Sequence, residues 1–458
     1  MPELPEVETI KNFLLPQIKN KTILEIEVRS DKQIKSDINE FISLLKNQTF
    51  LDITRIGKYL FFHLSNDFVI ISHLRMEGKY FYFSNEHPLT KHAKVIFYLT
   101  NGDKLVYDDS RGFGMLKLSN EKNYKKEKEI IKLGKEPFYC GYDDIKNKIN
   151  PNSSIKGTLL DQTIMSGIGN IYADEILYKT KLHPLTKNKN ISKEKWEEII
   201  LTAREILLES IKANGSTIKS YHPSENKSGE FQNKLRIYGR KNERCPVCNS
   251  VFKKTIVASR GTTYCPLCQR YENKLKIALT GPSGTGKSTV LSYLKSKGYE
   301  VYSADEIVQK LYKSEEFAKI LAKKLNIPFV NEVDKNLIKE WIKKDKNNQK
   351  ILSNAVHPYV KEEIIKILDN NKGLVIIEVP LLYEAHLETL FDIVIAINSI
   401  NQDNLLNNRE GNNASLIKKI NANNKFNTYH KYVDFIINND STLANLYNQV
   451  DLIFNKLK

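Results

Sequence analysis

The spacing of hydrophobic and polar positions changes character along the 458-residue chain, and each change marks a candidate domain. From Thr22 to Leu118 apolar residues fall in short runs of strand character, among them Ile23–Val28, Tyr59–Leu64, Phe68–Ser72, Lys79–Phe83, Val95–Leu99 and Lys104–Tyr107. Asn101-Gly102 is a hairpin-turn dipeptide, so this region is predicted to be mostly β-sheet. Ahead of it, Pro5 with Glu6 and Glu8 opens a short helix, the proline in the first turn and the carboxylates at the positive end of the dipole. Residues 121–135 are charged and read as helix or loop. From Lys156 to Asn214 the period becomes helical, with Glu194–Glu209 the clearest amphipathic stretch. Residues 219–234 are polar, with Gly, Ser and Asn, and read as a mobile loop. Paired cysteines occupy 245–268, and a strand at Leu275–Thr280 then begins an alternation of strand and helix typical of α/β domains. There is no internal repeat.

Length alone calls for two or more domains. The apolar fraction of 41% is ample for globular cores, and 27% charged is ordinary. The balance is not: 70 Lys+Arg against 54 Asp+Glu leave +16. Residues 1–273 hold 44 basic and 33 acidic side chains, net +11, while 274–458 hold 26 and 21, net +5. The excess sits mainly in the first part, where nucleic acid is the physical expectation, although a Lys/Asn-rich proteome produces the same bias. No stretch approaches 18 continuous apolar residues, so no membrane span is expected. The N-terminus is acidic without a hydrophobic signal core, and the cysteine pairs suit metal binding in a reducing compartment. A cytoplasmic monomer is the expectation.

Cys245, Cys248, Cys265 and Cys268 form C-x2-C-x16-C-x2-C, the spacing of a tetrahedral zinc–thiolate site on two turns. Four sulfurs leave no open coordination position, so the role of the ion is structural. Arg260, on the loop between the knuckles and beside Arg244 and Arg270, could meet phosphates; a solvated loop arginine reads equally well. At the other end of the chain, Pro2 becomes the terminal residue if Met1 is removed. At an α-amino pKa near 8, about a tenth of such an amine is unprotonated at pH 7, against about 0.04% for lysine. It can attack an electrophilic sugar carbon and form an iminium, with Glu3 beside it as proton donor or acceptor. On these two residues alone, a start codon followed by helix-capping carboxylates is the simpler account.

The opening Met1-Pro-Glu-Leu-Pro-Glu-Val-Glu-Thr resembles that of formamidopyrimidine-DNA glycosylases. So do Ile56-Gly-Lys-Tyr-Leu, Ser72-His-Leu-Arg-Met-Glu-Gly, Asp109-Ser-Arg-Gly-Phe-Gly, Gly167-Ile-Gly-Asn-Ile-Tyr-Ala-Asp-Glu and Arg260-Gly-Thr-Thr-Tyr-Cys-Pro. Several motifs in the right order make the resemblance specific over residues 1–273. It implies an N-terminal β-sandwich, a helix-two-turn-helix domain and a zinc finger, acting on double-stranded DNA that contains oxidised purines. It further implies Pro2 as nucleophile at C1′, Glu3 as general acid/base with Glu6 nearby, and Lys58 on a phosphate flanking the lesion. Met76, Arg111 and Phe113 would fill the gap left by an extruded base, as the physics of base flipping requires. Without the resemblance, core packing would be the expectation for Met76 and Phe113. Asn170, at a helix start after two glycines, and Lys156 are further candidate phosphate contacts. The lesion-sensing loop maps to about Thr217–Phe231 and departs from the family's usual stretch. Glu77 lines the pocket or is a solvated turn carboxylate.

Gly281-Pro-Ser-Gly-Thr-Gly-Lys-Ser-Thr follows the strand Ile277–Thr280 and precedes a helix at Val290–Lys297, the setting a phosphate-binding loop requires. Gly281, Gly284, Thr285 and Gly286 would turn backbone N–H groups onto the phosphates of ATP. Lys287 would reach the β/γ oxygens, Ser288 would bind Mg²⁺, and Thr289 completes the motif. Ser303-Ala-Asp-Glu, Val356-His-Pro, the run Leu374–Val379 followed by Pro-Leu-Leu-Tyr-Glu, and Arg409-Glu-Gly resemble dephospho-CoA kinase across 275–458. That resemblance implies transfer of the γ-phosphoryl group of ATP to the ribose 3′-hydroxyl of dephospho-CoA. Asp305 would be the base or metal-orienting carboxylate, Arg409 a lid cation and His357 a substrate-side residue. Ser303 stands where the family usually has Asp, Leu405 where it has a second lid arginine, and Lys419-Ile420 and Asn423 replace the Arg-Ile and Gln of the following helix.

The expected chain is therefore multidomain: an α+β glycosylase followed by an α/β P-loop kinase with a parallel sheet. The boundaries are 1–125 for the β-sandwich, 126–240 for the helix-two-turn-helix domain, 241–273 for the zinc finger and 274–458 for the kinase. Its expected function is bifunctional, a glycosylase/AP lyase joined to a dephospho-CoA kinase, with one structural Zn²⁺ and with ATP and Mg²⁺. A degenerate nucleotide-binding C-terminal part, or a zinc-finger DNA binder with an ATPase module, are the alternatives left open by the sequence.

Overall fold

The computed structural model describes residues 1–83, 86–100, 102–216, 230–272, 274–328, 331–345, 347–399 and 432–457. The chain divides into two compact units, Met1–Arg240 with Lys254–Tyr264, and Lys241–Lys253 with Cys265–Lys458.

The first unit opens on α1 (Leu4–Ile18), longer than the short helix expected because Val7, Ile10, Leu14 and Ile18 continue one buried face. Glu3 caps it in a capping box with Glu6, and Pro5 sits in the first turn. The eight strands that follow are β1 (Ile23–Val28), β2 (Phe50–Ile56), β3 (Tyr59–Leu64), β4 (Phe68–His73), β5 (Gly78–Phe83), β6 (Ala93–Leu99), β7 (Lys104–Asp109) and β8 (Met115–Asn120). They form two four-stranded antiparallel sheets, β1-β6-β7-β5 and β2-β3-β4-β8. One apolar cluster, including Phe41, Phe50, Phe62, Tyr80 and Phe97, joins residues of both sheets to α1. Among these strands lies a helix that the strand pattern does not predict, α2 (Ile38–Leu45), where Asp37 caps the helix and Phe41 and Leu45 are buried.

Residues 121–135 contain only a 3₁₀ turn and the single-turn α3 (Lys128–Ile131). Then come α4 (Tyr142–Ile145), α5 (Ile155–Leu160), α6 (Asn170–Lys179) and α7 (Lys193–Lys212). Ser154 and Ser192 cap α5 and α7 through their hydroxyls. Tyr172, Ala173, Ile176 and Leu177 of α6 belong to the same buried cluster as Trp196, Ile199, Ala203 and Leu207 of α7. A hairpin of β9 (Lys253–Val257) and β10 (Arg260–Tyr264) turns through Ala258 and Ser259, both at positive φ, as a two-residue turn of this hand requires.

In the second unit, a five-stranded parallel sheet has the order β12-β13-β11-β14-β15. Its strands are β11 (Leu275–Thr280), β12 (Glu300–Ser303), β13 (Leu374–Glu378), β14 (Ile393–Asn398) and β15 (Phe435–Asn438). The helices are α8 (Lys287–Ser296), α9 (Ala304–Tyr312), α10 (Glu315–Leu325), α11 (Lys335–Lys344), α12 (Asn348–Asn370) and α13 (Leu443–Leu457). Alternate strand residues serve two clusters. Val375 and Ile377 pack with α9, α10 and α12, whereas Ile277, Leu279 and Ile376 pack with α8 and α13. Burial on both faces explains why these strands read as unbroken apolar runs.

The hairpin residues 254–264 belong to the first unit, where Lys156 and Asp174 bond to Thr262 and Thr263; both knuckles belong to the second. Among the described residues, no helix is long and apolar enough to cross a membrane.

Candidate active sites and zinc centre

The start of α1 is built against the turn that precedes α6. Leu4 N–H donates to the Gly167 carbonyl at 3.1 Å. The Glu3 carboxylate accepts the N–H groups of Gly169 at 2.6 Å and Ile171 at 2.9 Å. The turn needs its glycines. Gly167 has φ +100°, and a Cβ there would lie 2.4 Å from Leu4; a Cβ at Gly169 would lie 2.4 Å from the Glu3 carboxyl carbon. Glu3 is 2% exposed. Burial pushes its carboxyl up to about 7; Lys58 opposes that shift and Glu6 adds to it.

Lys58, buried in the turn between β2 and β3, donates to the Ile168 carbonyl at 2.8 Å. Its ammonium pKa is lowered by burial, against the attraction of Glu3 and Glu6. Glu6 accepts from the hydroxyl of Tyr172 at 2.6 Å and from Ser216 N–H at 2.8 Å, and its other oxygen takes the Glu3 N–H at 2.9 Å. Pro2, half-buried, immediately precedes this network. The result is a carboxyl group with its pKa pushed up to about 7 and a desolvated ammonium, both held beside the second residue of the chain.

Two loops of the same unit present the expected base-gap residues. Met76 is half-buried in the Arg75–Glu77 turn between β4 and β5, with Glu77 half-buried beside it. Phe113 is 59% exposed, which removes core packing as its explanation, and the Arg111 guanidinium lies 5.4 Å from its ring centre. The loop is held from below by buried Asp109, which accepts the N–H groups of Arg111, Gly112 and Gly114. Asn170 opens α6 and donates to the Gly261 carbonyl at 3.0 Å. Arg260 is exposed at the hairpin, near enough to Lys58 to help lower its pKa.

Lys156 stands in a different setting from the phosphate contact expected. It is fully buried, with its ammonium on Asp174 at 2.6 Å and Thr262 at 2.7 Å. In this arrangement it positions the hairpin. The lesion-sensing stretch lies outside the described residues over 217–229.

The four knuckle cysteines converge, their sulfurs all within 4.8 Å of one another. Cys245 and Cys268 stand 3.8 Å apart and Cys248 and Cys265 3.4 Å. Thiolates about 2.3 Å from a tetrahedral ion stand about 3.8 Å apart, so this donor set fits Zn²⁺. Cys248, Cys265, Cys245 and Cys268 would hold it, with no open position for a substrate.

In the second unit the loop from Gly281 wraps the C-terminal end of β11. Gly281, Gly284 and Gly286 all have positive φ, and a Cβ at Gly281 would lie 2.2 Å from the Ile397 carbonyl oxygen. Thr285 and Lys287 both donate to the Pro282 carbonyl, while Ser288 and Thr289 lie in the first turn of α8. Burial lowers the Lys287 pKa, against Glu378 and Asp305. Asp305 is exposed in the first turn of α9, and His357 is half-buried in α12 with its pKa lowered by burial. Arg409, Leu405, Lys419 and Asn423 lie outside the described residues.

Family models match four stretches of the chain. They are the formamidopyrimidine-DNA glycosylase N-terminal domain over 1–116, its H2TH domain over 133–222, a zinc finger found in FPG and IleRS over 242–270, and dephospho-CoA kinase over 275–445. A formamidopyrimidine-DNA glycosylase of Lactobacillus helveticus is 42% identical over 275 residues, 59% of this chain and 99% of the relative. The chain belongs to the formamidopyrimidine-DNA glycosylase family. The Mycoplasmopsis pulmonis member is 39% identical over 276 residues, 60% of this chain and 99% of that one. Among solved structures, Lactococcus lactis Fpg in complex with abasic-site DNA superposes with a TM-score of 0.56 at 34% identity, covering 59% of this chain and 100% of that one. The same enzyme with DNA containing N7-benzyl-Fapy-dG gives 0.55 at 35% identity, with the same coverage. Beyond the family's usual length, this chain carries the dephospho-CoA kinase domain.

Within the glycosylase-family unit, the structure adds several residues to those the sequence points to. Tyr172 and Ser216 fix Glu6. In the Ala-Asp-Glu end of the family motif, Asp174 holds Lys156 and the Thr263 N–H, and Glu175 accepts the N–H groups of Arg236, Ile237 and Tyr238. Buried carboxylates inside an otherwise apolar helix were the available signal. In the kinase domain the missed residue is Glu378, the buried end of β13 and the register partner of Ser303. Its carboxyl pKa is raised by burial, which Lys287 opposes. A lone Glu closing the run Leu374–Ile377 was visible in the sequence.

Proposed function

We propose that the chain is a bifunctional enzyme, a DNA glycosylase/AP lyase for oxidised purines joined to a dephospho-CoA kinase. The observation that carries the first activity is the Glu3 carboxyl. It is buried against the Gly169 and Ile171 amides directly after Pro2, and its pKa is pushed up to about 7 by that burial, which Lys58 opposes. With Met1 removed, the Pro2 amine bonds to C1′ of the damaged nucleotide as the bond from C1′ to the base breaks, and the base leaves with that electron pair and the proton that the proline nitrogen gives up. Glu3 donates a proton to the opening sugar ring, so that the proline nitrogen and C1′ become an iminium. Lys58 would leave the Ile168 carbonyl for a flanking phosphate, and Phe113, Arg111 and Met76 would occupy the vacated stack. The relatives in complex with abasic and Fapy-dG DNA support this reading.

For the second activity, the Gly281–Thr289 loop binds ATP, which with Mg²⁺ supplies the phosphoryl group. Lys287 would leave the Pro282 carbonyl for the phosphates, and Ser288 with the Asp305 and Glu378 carboxylates would hold Mg²⁺, which would neutralise phosphate charge, and orient the acceptor hydroxyl. Glu378 supplies, on the neighbouring strand, a carboxylate beside the position where Ser303 lacks one.

Borohydride trapping tests the glycosylase/lyase step. Wild-type protein incubated with oxidised-purine duplex and borohydride should become covalently tied to DNA, and protein carrying an uncleaved extension ahead of Pro2, which turns that amine into an amide, should not. Trapping that survives the blocked terminus would remove Pro2 from the mechanism.

A further inference from the structure

The zinc knuckles belong to the same compact unit as the kinase sheet, and both are anchored on it. On the first knuckle, the Arg244 guanidinium donates to the Val433 carbonyl at 3.0 Å and also holds the Asn249 carbonyl inside the knuckle at 3.0 Å. Val251 N–H donates to the Asp434 carboxylate at 2.6 Å. The other oxygen of that carboxylate accepts the Val394 N–H of β14 at 2.8 Å. Asp434, 4% exposed, thus has one oxygen on the knuckle and one on the sheet. On the second knuckle, Leu267, between Cys265 and Cys268, packs against the apolar cluster shared by β11, β14, α8 and α13. A metal ion held by the four cysteines would tie these two anchors together.

From Asp434 the chain runs straight into β15 and then to Asn439. The Asn439 amide donates to the Thr285 carbonyl at 3.0 Å, and a Cβ at Gly286 would lie 2.5 Å from it. Asn439 N–H is itself held by the Asn398 carbonyl at the end of β14. One short strand therefore separates the knuckle contact from the phosphate-binding loop.

We propose that the zinc-knuckle pair is a docked structural part of the kinase body, so that metal occupancy sets the order of the β14–β15 edge and, through Asn439, of the nucleotide loop. This rests on the P-loop reading of residues 281–289 but not on the acceptor of the phosphoryl group. A closed four-thiolate site contributes folding free energy to whatever its ligands are packed against, and here that includes the kinase sheet. The coupling needs no long-range wire, only the continuous contacts just described.

The test uses the full chain in three forms: wild type with zinc, the zinc-free Cys248→Ser/Cys268→Ser variant, and Arg244→Ala, whose ligands are intact. Backbone amide exchange is followed by mass spectrometry, zinc content by elemental analysis, and affinity with a fluorescent ATP analogue. Zinc loss should speed exchange over 394–398 and 433–439 while sparing β12, and weaken nucleotide binding by about three- to tenfold, the range one lost ordinary hydrogen bond implies. Arg244→Ala should speed exchange in the same segments with one zinc per chain retained. A zinc-free chain with wild-type exchange at 433–439 and wild-type nucleotide affinity would overturn the proposal. So would an Arg244→Ala chain whose exchange is unchanged. Loss of nucleotide binding by the zinc-replete wild type would instead strike the P-loop reading.

Discussion

Gly169→Ala places a single methyl group where the structure has no room for it. The added carbon would lie 2.4 Å from the Glu3 carboxyl carbon and 2.6 and 2.7 Å from its oxygens. Ordinary van der Waals contact begins about 1 Å farther out, so either Glu3 retreats by that distance or the Gly167–Asn170 turn does. Either movement breaks the bond from Gly169 N–H and misaims the one from Ile171. A displacement of about 1 Å at a reacting group costs about 100-fold in rate, and overpacking costs about 1–3 kcal/mol of stability. The assay is single-turnover excision from an oxidised-purine duplex with enzyme in excess, paired with affinity for an abasic-analogue duplex. Excision should fall about 100-fold while duplex binding, governed by phosphate contacts, changes little. Excision within twofold of wild type would refute the claim that Glu3 is held in place by this close approach.

The carboxyl of Glu3, raised from 4.5 to about 7, should give excision an alkaline limb near pH 7, because the proton donor is lost as pH rises through that value. The same shift makes its contribution to stability full below the unfolded value and lost above about 7. Lys58→Met removes the cation that opposes the shift, so the limb should move to higher pH; an unmoved limb in the pH–rate profile would assign it to another group. Phe113→Ala should leave thermal unfolding within about 0.5 kcal/mol, because the ring is exposed, yet weaken lesion-duplex binding by about 1–3 kcal/mol, read by fluorescence anisotropy. Lys156→Met leaves the Asp174 carboxylate buried and unpaired, and denaturant unfolding should show a loss of about 3–5 kcal/mol. A freely exposed phosphate contact would show no such loss.

The first unit was legible where residues repeat a period or carry chemistry. The strand runs from Ile23 to Lys104 fall within observed strands because β-branched and aromatic residues crowd into them; β3, β4 and β7 are buried along nearly their whole length rather than on alternate residues. The helix α2 was lost among them: eight residues amid strand-like neighbours give little period to detect, and its Asp37 cap was the better signal. The Cys245–Cys268 spacing and the Gly281–Thr289 loop were readable because metal and phosphate geometry tolerate little variation. Lys156 was not, because a buried ion pair and a phosphate contact call for the same side chain, and only the Asp174 partner separates them. The split of the finger between two units was invisible for a similar reason. Nothing in Arg244 or Asp434 alone announces that each will meet a residue about 190 positions away.

The central claim is that one chain carries two working chemistries. Purified full-length protein should be incubated with ATP, Mg²⁺ and dephospho-CoA, with coenzyme A sought by mass spectrometry and DNA trapping by borohydride run on the same preparation. The account predicts coenzyme A from the wild type and none from Lys287→Ala, with trapping equal in both. Absence of coenzyme A from a wild-type preparation that binds ATP and traps DNA would contradict it, leaving a glycosylase whose second unit binds nucleotide without making this product.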